Sequence, residues 1–391
     1  MGGPLTRRRF LQGAAALGTG LAIGACRDDG EPGSATAPDR TEPSSTDGTL
    51  VVITLYGGND GLNTVVPVDD PLYPAGRGSL AIAADESHPV GEGFALHPSL
   101  TRCADLWAQD RLAVVHGVGS TALDRSHFHC MDQWQAAGDD HRTGWLGRWL
   151  DAAGEGPMDA IVVGRTLPLL ARGARRAASV VPPGGFPRSA EAVALRPLVA
   201  TLTSAERPGL AGLVAGSTAD LLALVDEVGP LLDPDDAALD GLDAQLDVVA
   251  TLIEADLPAR VYTAALDGFD THATQAVTHA ALLSDLDTAL GRLLERVGDR
   301  KVTVLVHSEF GRRVAPNASD GTDHGQAGVV LLAGAVRPGH HGEPPPLDDL
   351  DDGDLRTTID YRAVYAAVLE GVLGVPAADI IDDSPPALSL V

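Results

Sequence analysis

Seven side chains in this sequence are of types that share one chemistry: Asp60, Ser126, Asp270, His272, Glu309, Asp323 and His324. A mixed set of carboxylates and imidazoles suits a divalent cation. Zinc comes first and manganese is an alternative, with calcium or magnesium favoured where oxygen ligands dominate. A serine at a helix start lies where backbone amides, here with Arg125 beside it, lower the cost of negative charge. Such a hydroxyl suits attack on an ester of an oxyanion. Two metals about 4 Å apart would grip a phosphate or sulfate ester, activate the hydroxyl and stabilise the leaving oxygen. Four of them also have a plainer reading: Asp60 in the ordinary turn Asn59-Asp60-Gly61, Ser126 as an N-cap, and Asp270 with His272 as helix-capping chemistry.

The elements that would position these residues favour the shared reading. Residues 50–55 are rich in β-branched and aliphatic side chains, read as a strand buried on both faces, and they break abruptly into Gly57-Gly58-Asn59-Asp60-Gly61. Residues 67–98 read as irregular, 99–110 as a short helix, and 112–116 as a strand, together the strand-crossover-strand unit of a parallel sheet. A helix begins near Ser126, with Phe128, Met131 and Trp134 on one side, and a second carries Trp145, Leu146, Trp149 and Leu150. Short strands are expected at 160–163 and 178–181, then a Pro, Gly and Ala-rich stretch, 182–213, that could cover the site. Amphipathic helices follow at 217–228 and 234–255. A strand at 260–266 ends in Asp267-Gly268-Phe269-Asp270-Thr271-His272 and runs into a helix over 273–297. The strand 302–306 ends in His307-Ser308-Glu309-Phe310-Gly311-Arg312, and Thr322-Asp323-His324-Gly325 precedes a strand at 328–333. A helix over 361–373 closes the series. Parallel strands put their carboxyl ends on one rim, so residues far apart in sequence can meet there. The expected fold class is α/β, a mostly parallel central sheet flanked by helices on both faces.

The chain has 391 residues and a 44% hydrophobic fraction. The expected division is a leader at 1–26, a flexible linker at 27–48 and a single α/β domain at 49–391. Thr6-Arg7-Arg8-Arg9-Phe10-Leu11 matches the twin-arginine export pattern, and Ile23-Gly24-Ala25-Cys26 reads as a lipobox. The expectation is therefore export to the periplasm or the outer face of the cytoplasmic membrane, with membrane contact only through lipidated Cys26. Residues 27–48 are rich in Asp, Glu, Pro, Ser, Thr and Gly and read as a tether. No apolar run after the leader reads as long enough to cross a bilayer.

The formal net charge is −26, and loss of the leader removes three arginines. So acidic a surface argues against nucleic acid and anionic lipid as partners, and a small anionic ester would need local cations to enter. Beyond Cys26, Cys103 and Cys130 remain, and these could pair outside the cytoplasmic membrane or stay apart.

Several motifs occur together: the twin-arginine leader, Gly57-Gly58-Asn59-Asp60-Gly61, Arg125-Ser126-His127-Phe128, Gly144-Trp145-Leu146-Gly147-Arg148, Phe269-Asp270-Thr271-His272, Ser308-Glu309-Phe310-Gly311-Arg312 and Gly321-Thr322-Asp323-His324-Gly325. From residue 50 onwards the chain resembles an exported bacterial family, domain of unknown function 1501, placed in the alkaline phosphatase and sulfatase superfamily. The resemblance implies an alkaline-phosphatase-like sheet with a metal site at its strand ends. It makes Asp60 similar to a first-strand metal-bridging aspartate and Ser126 to a helix-start nucleophile. Asp270 and His272 look like a pair on one metal, Glu309 like the carboxylate after a late strand, and His324, with Asp323, like the late returning ligand. No Cys/Ser-x-Pro-x-Arg signature is present, so formylglycine chemistry is not expected. Two functions follow: a metal-dependent hydrolase of phosphate or related esters, or a membrane-tethered binding or scaffold protein that keeps the fold without catalysis.

Overall fold

The computed structural model describes residues 48–120, 125–186, 190–203, 208–232 and 241–391. The leader with Cys26, and the tether up to residue 47, lie outside the described residues. Twelve strands are found among the described residues: β1 (Thr49–Tyr56), β2 (Val65–Val66), β3 (His88–Gly91), β4 (Phe94–Leu96), β5 (Leu112–Gly119), β6 (Ala160–Val163), β7 (Ser179–Val181), β8 (Val261–Asp267), β9 (Val302–Ser308), β10 (Gly328–Gly334), β11 (Gly339–His341) and β12 (Ile359–Asp360). The helices are α1 (Gly61–Thr64), α2 (Leu72–Arg77), α3 (Thr101–Ala108), α4 (His127–Ala136), α5 (Trp145–Ala153), α6 (Ala190–Thr203), α7 (Gly209–Val228), α8 (Leu242–Glu254), α9 (Gln275–Val297) and α10 (Tyr361–Gly371).

β1 lies inside the main sheet, whose order is β11-β5-β10-β9-β1-β8-β6-β7, with β12 beside β5. Val52 pairs in parallel register with Thr263 of β8 and Leu305 of β9. The run of apolar residues Leu50–Ile53 and Leu55 in β1 follows from burial on two faces. Val51, Ile53 and Leu55 join the core formed with α3, α8 and α9, while Leu50 and Val52 join the core under α4, α5 and α10. The mostly parallel sheet between two helical layers is the expected class.

Three features depart from the sequence reading. β10 runs antiparallel to both β9 and β5, so the beginning of β10, not its end, lies at the rim where β1, β8 and β9 finish. The stretch 67–98 holds two strands of a separate three-stranded sheet, β2-β4-β3, and α2. Within 182–213, α6 forms and α7 begins at Gly209. Gly209–Leu231 is long and apolar enough to cross a membrane, by length and composition, with 6% of that apolar window buried. This corrects the expectation that no such run follows the leader; the reason is that α7 starts eight residues earlier than expected, adding an uncharged first half. Cys103 and Cys130 form no disulfide, and both are buried.

Candidate metal centre

Four side chains converge where β8 and β9 end and β10 begins. Oδ1 of Asp270 lies 3.0 Å from His272 Nε2, 3.1 Å from His324 Nε2 and 3.3 Å from His127 Nε2. The Nε2 atoms of His272 and His324 are 2.8 Å apart. One ligating atom from each of His127, Asp270 and His324 falls within 4.8 Å of the others.

Each imidazole is held from behind at its other nitrogen. Nδ1 of His127 meets Glu309 Oε1 at 2.8 Å, Nδ1 of His324 meets the Arg125 carbonyl at 2.8 Å, and Nδ1 of His272 meets Asp323 Oδ1 at 3.3 Å. All three partners are oxygens that accept, so each Nδ1 carries the hydrogen, and in the neutral form of each ring the Nε2 lone pair turns inward. His127 Nε2 is buried and finds no hydrogen-bond donor. Two inward lone pairs 2.8 Å apart repel unless a proton or a cation lies between them. Imidazoles oriented by carboxylates or carbonyls are the usual surroundings of a metal, and donors about 2.0–2.1 Å from one zinc stand roughly 3.3 Å apart. The donor set fits a divalent cation.

Local sequence explains the placement. The chain leaves β1 through Gly57 at φ +118° and Gly58 at φ +79°, and a Cβ on Gly57 would collide with the backbone of Phe269 and Asp270. Only glycine lets the β1 exit pack this tightly on the β8 exit. Glu309, immediately after β9, accepts from Gly57 N at 2.9 Å and from Ser308 Oγ at 2.9 Å, so the carboxylate that holds His127 is itself fixed. Arg312 is fully buried and ties the exits together. It donates to Gly58 O (2.8 Å), Phe269 O (2.9 Å), Thr322 O (2.8 Å), the Gly57 carbonyl and Asp270 Oδ1 (2.7 Å). Arg312 also bridges to His324 in a short antiparallel contact.

The charges follow the same pattern. Burial pushes the Asp270 carboxyl up, but Arg312, His324 and His127 outweigh it and hold Asp270 at about 2. The hydrogen bond to Glu309 raises His127, burial lowers His324, and Glu309 stays ionised because His127 and Gly57 N offset its burial.

Of the residues singled out from sequence, Asp270, His272 and His324 meet in the cluster. Glu309 and Asp323 belong to the same assembly but stand behind His127 and His272, as orienting carboxylates. Asp60 does not join it. Fully buried, Asp60 caps α1 through Asn63 N (3.3 Å) and is gripped by Arg77 and Gln275. Arg77 supplies the positive charge beside this carboxylate. Ser126 occupies the N-cap place before α4 with an extended backbone, yet its side chain makes no capping hydrogen bond. Ser126 is an exposed residue next to His127. The Arg125 guanidinium pairs with buried Asp354, and its carbonyl orients His324. Gly144 to Arg148 is structural, with Trp145 in the core and Arg148 donating to Ile380 O and Ala136 O.

His127 and Arg312 were missed. Both lie inside motifs recognised for a neighbour, Ser126 and Glu309, and the available signal for His127 was its place at a predicted helix start.

Residues 245–369 match a family described as "Protein of unknown function (DUF1501)". No curated protein matches the chain. Among solved structures, the C-terminal periplasmic domain of EcEptC from Escherichia coli, in complex with Zn, is similar at TM-score 0.38 and 9% identity, covering 90% of this chain and 85% of that one. The lipoteichoic acid synthase LtaP from Listeria monocytogenes is similar at TM-score 0.38 and 8% identity, covering 88% and 77%. TAB5 alkaline phosphatase is similar at TM-score 0.34 and 11% identity, covering 76% and 95%.

Proposed function

We propose, from the premise that residues 245–369 match a family without an assigned activity, that this chain is an exported metal-dependent hydrolase of phosphate or related anionic esters. One observation carries the reading: three imidazoles, each held at Nδ1 by an oxygen, aim Nε2 at a single carboxylate oxygen. His127, His272, His324 and Asp270 would hold the cation, zinc before manganese, calcium or magnesium. When bound, it would supply a positive charge that draws in an ester anion and polarises its phosphorus or sulfur centre.

The remaining roles fall to this chain's own residues. Ser126, one residue before the cluster and at the start of α4, is the nucleophile. Its Oγ, giving its proton to solvent, forms the new bond to phosphorus while the bond to the leaving oxygen breaks and that oxygen takes up a proton; water then attacks the phosphorus of the phosphoserine, releasing phosphate and restoring the Ser126 hydroxyl. The amides of the first turn of α4 face developing negative charge. Glu309, Asp323 and the Arg125 carbonyl keep the three imidazoles in one tautomer, and Arg312 fixes Asp270 against the β1 exit. An acidic exterior favours a small ester over nucleic acid, and the leader and lipobox support export with anchoring at Cys26.

The test is turnover of aryl phosphate, phosphodiester and sulfate esters by zinc-loaded protein beside Ser126→Ala. Turnover by the parent alone supports the assignment, and equal turnover by both removes Ser126 from it. The second reading, a tethered scaffold without catalysis, gains from the ion pair that Arg77 makes with Asp60 in place of a second cation. Stoichiometric metal without turnover of any ester would favour it.

A further inference from the structure

A second concave site lies between the small sheet and the β5 and β10 strands of the main sheet. Its volume is about 340 Å³. The inner wall is apolar, formed by Leu62, Val65, Phe94, Val329 and Leu355, with Pro344 to Pro346 along another side. Asp69, Asp70 and Glu92 also line it, and neither lysine nor arginine does. Asp69 and Glu92 are exposed.

One buried imidazole, His116, lines this wall. His116, 3% exposed, places Nε2 at 2.8 Å from His340 Nδ1, and His340 Nε2 lies 3.2 Å from the Val90 carbonyl. A carbonyl only accepts, so His340 Nε2 carries a hydrogen, and neutral His340 then accepts at Nδ1. His116 must therefore donate from Nε2, which leaves its Nδ1 as an acceptor. Phe94 stands 4.6 Å from the His116 ring, centroid to centroid, and adds an aromatic face. Burial holds His116 at about 3, so the ring stays neutral at working pH.

We infer that this cavity binds a small apolar ammonium compound, its hydrocarbon body against Leu62, Val65 and Phe94, with its N–H groups directed to the acceptor on His116 and to the carboxylates at the rim. The wall removes apolar area from water, and a cation gains from Asp69, Asp70, Glu92 and the face of Phe94. An anion of the same shape would meet only carboxylates and an acceptor nitrogen. The inference is independent of the metal centre and of any esterase activity.

Isothermal titration of the whole chain at low ionic strength with phenethylamine, 2-phenylethanol and phenylacetate tests it. Phenethylamine should bind saturably at one site, 2-phenylethanol at least about fivefold more weakly, and phenylacetate not at all. The surface variant Asp69→Asn with Glu92→Gln should weaken the amine by about fivefold or more and leave the thermal midpoint in place. His116→Phe should weaken it as well. Equal binding of amine and alcohol, unchanged binding in the double variant, or no saturable heat from the amine up to about 10 mM would overturn the assignment.

Discussion

At the scale of single residues, the centre works by division of labour between nitrogens. Nε2 of His127, His272 and His324 faces Asp270, and Nδ1 of each is spent on an oxygen that sets the tautomer. Replacing any of the three by alanine should abolish tight metal binding. Glu309→Ala keeps all four donors but frees the His127 ring, and should weaken metal affinity by about 10–100-fold, measured by competition with a chelator. If Glu309→Ala binds metal as the parent does, the orienting role is wrong. Asp270, His272 and His324 were legible in the sequence because each follows or precedes a strand whose apolar run is unmistakable. Asp60 looked the same by that rule. What separates it is Arg77, seventeen residues on in a stretch that read as irregular, and nothing in the spacing told that its guanidinium would reach back to the carboxylate. Removing the charge should show the difference. Arg77→Met leaves a buried carboxylate unpaired and should cost about 3–5 kcal/mol in denaturant unfolding, while Arg77→Met with Asp60→Asn should recover part of that loss. Equal losses in the single and double variants would contradict the ion-pair account.

At the scale of elements, the site depends on how closely three chain exits pack. The β1 exit crosses the β8 exit through Gly57, and Arg312, from the segment after β9, donates to carbonyls on both. Gly57→Ala introduces both an unfavourable φ and a collision with the Asp270 backbone, so it should destabilise by about 2–4 kcal/mol and lower metal affinity together. A loss of stability with metal affinity untouched would uncouple the two. Helices and strands with strong periodicity, such as α9 with its leucine stripe and β9, were legible almost to their ends. The direction of β10 was not. A short apolar run reads the same in either direction, and only pairing with β9 and β5 reveals that its first residue, rather than its last, stands at the rim beside His324. The small sheet was missed because β2, β3 and β4 have two to four residues each, too few to show a period among the glycines and prolines around them.

At the scale of the whole molecule, an acidic exterior encloses histidines that are neutral because they are buried. His97 and His307 are held at about 4, and His116 and His279 at about 3, in each case with burial as the largest cause. These values lie below the unfolded value near 6.5, so between pH 6.5 and about 4 the unfolded chain binds protons that the folded chain does not, and stability falls as pH is lowered. The slope is about 1.4 kcal/mol per pH unit for each such histidine within its window. The thermal midpoint should therefore begin to drop near pH 6, before most surface carboxylates protonate; a midpoint that rises steadily from pH 7 to pH 5 would mean that relief of charge repulsion dominates instead. The α/β class and the rim as a binding edge could be foreseen from composition and strand order, but which carboxylate faces a cation and which faces an arginine is a property of the assembled interior. The most direct test of that interior is anomalous diffraction at the zinc edge from crystals grown with zinc. A single peak about 2.0–2.2 Å from Nε2 of His127, His272 and His324 and from an Asp270 oxygen is the predicted result. A peak beside Asp60, or no peak within the cluster at saturating zinc, would contradict it.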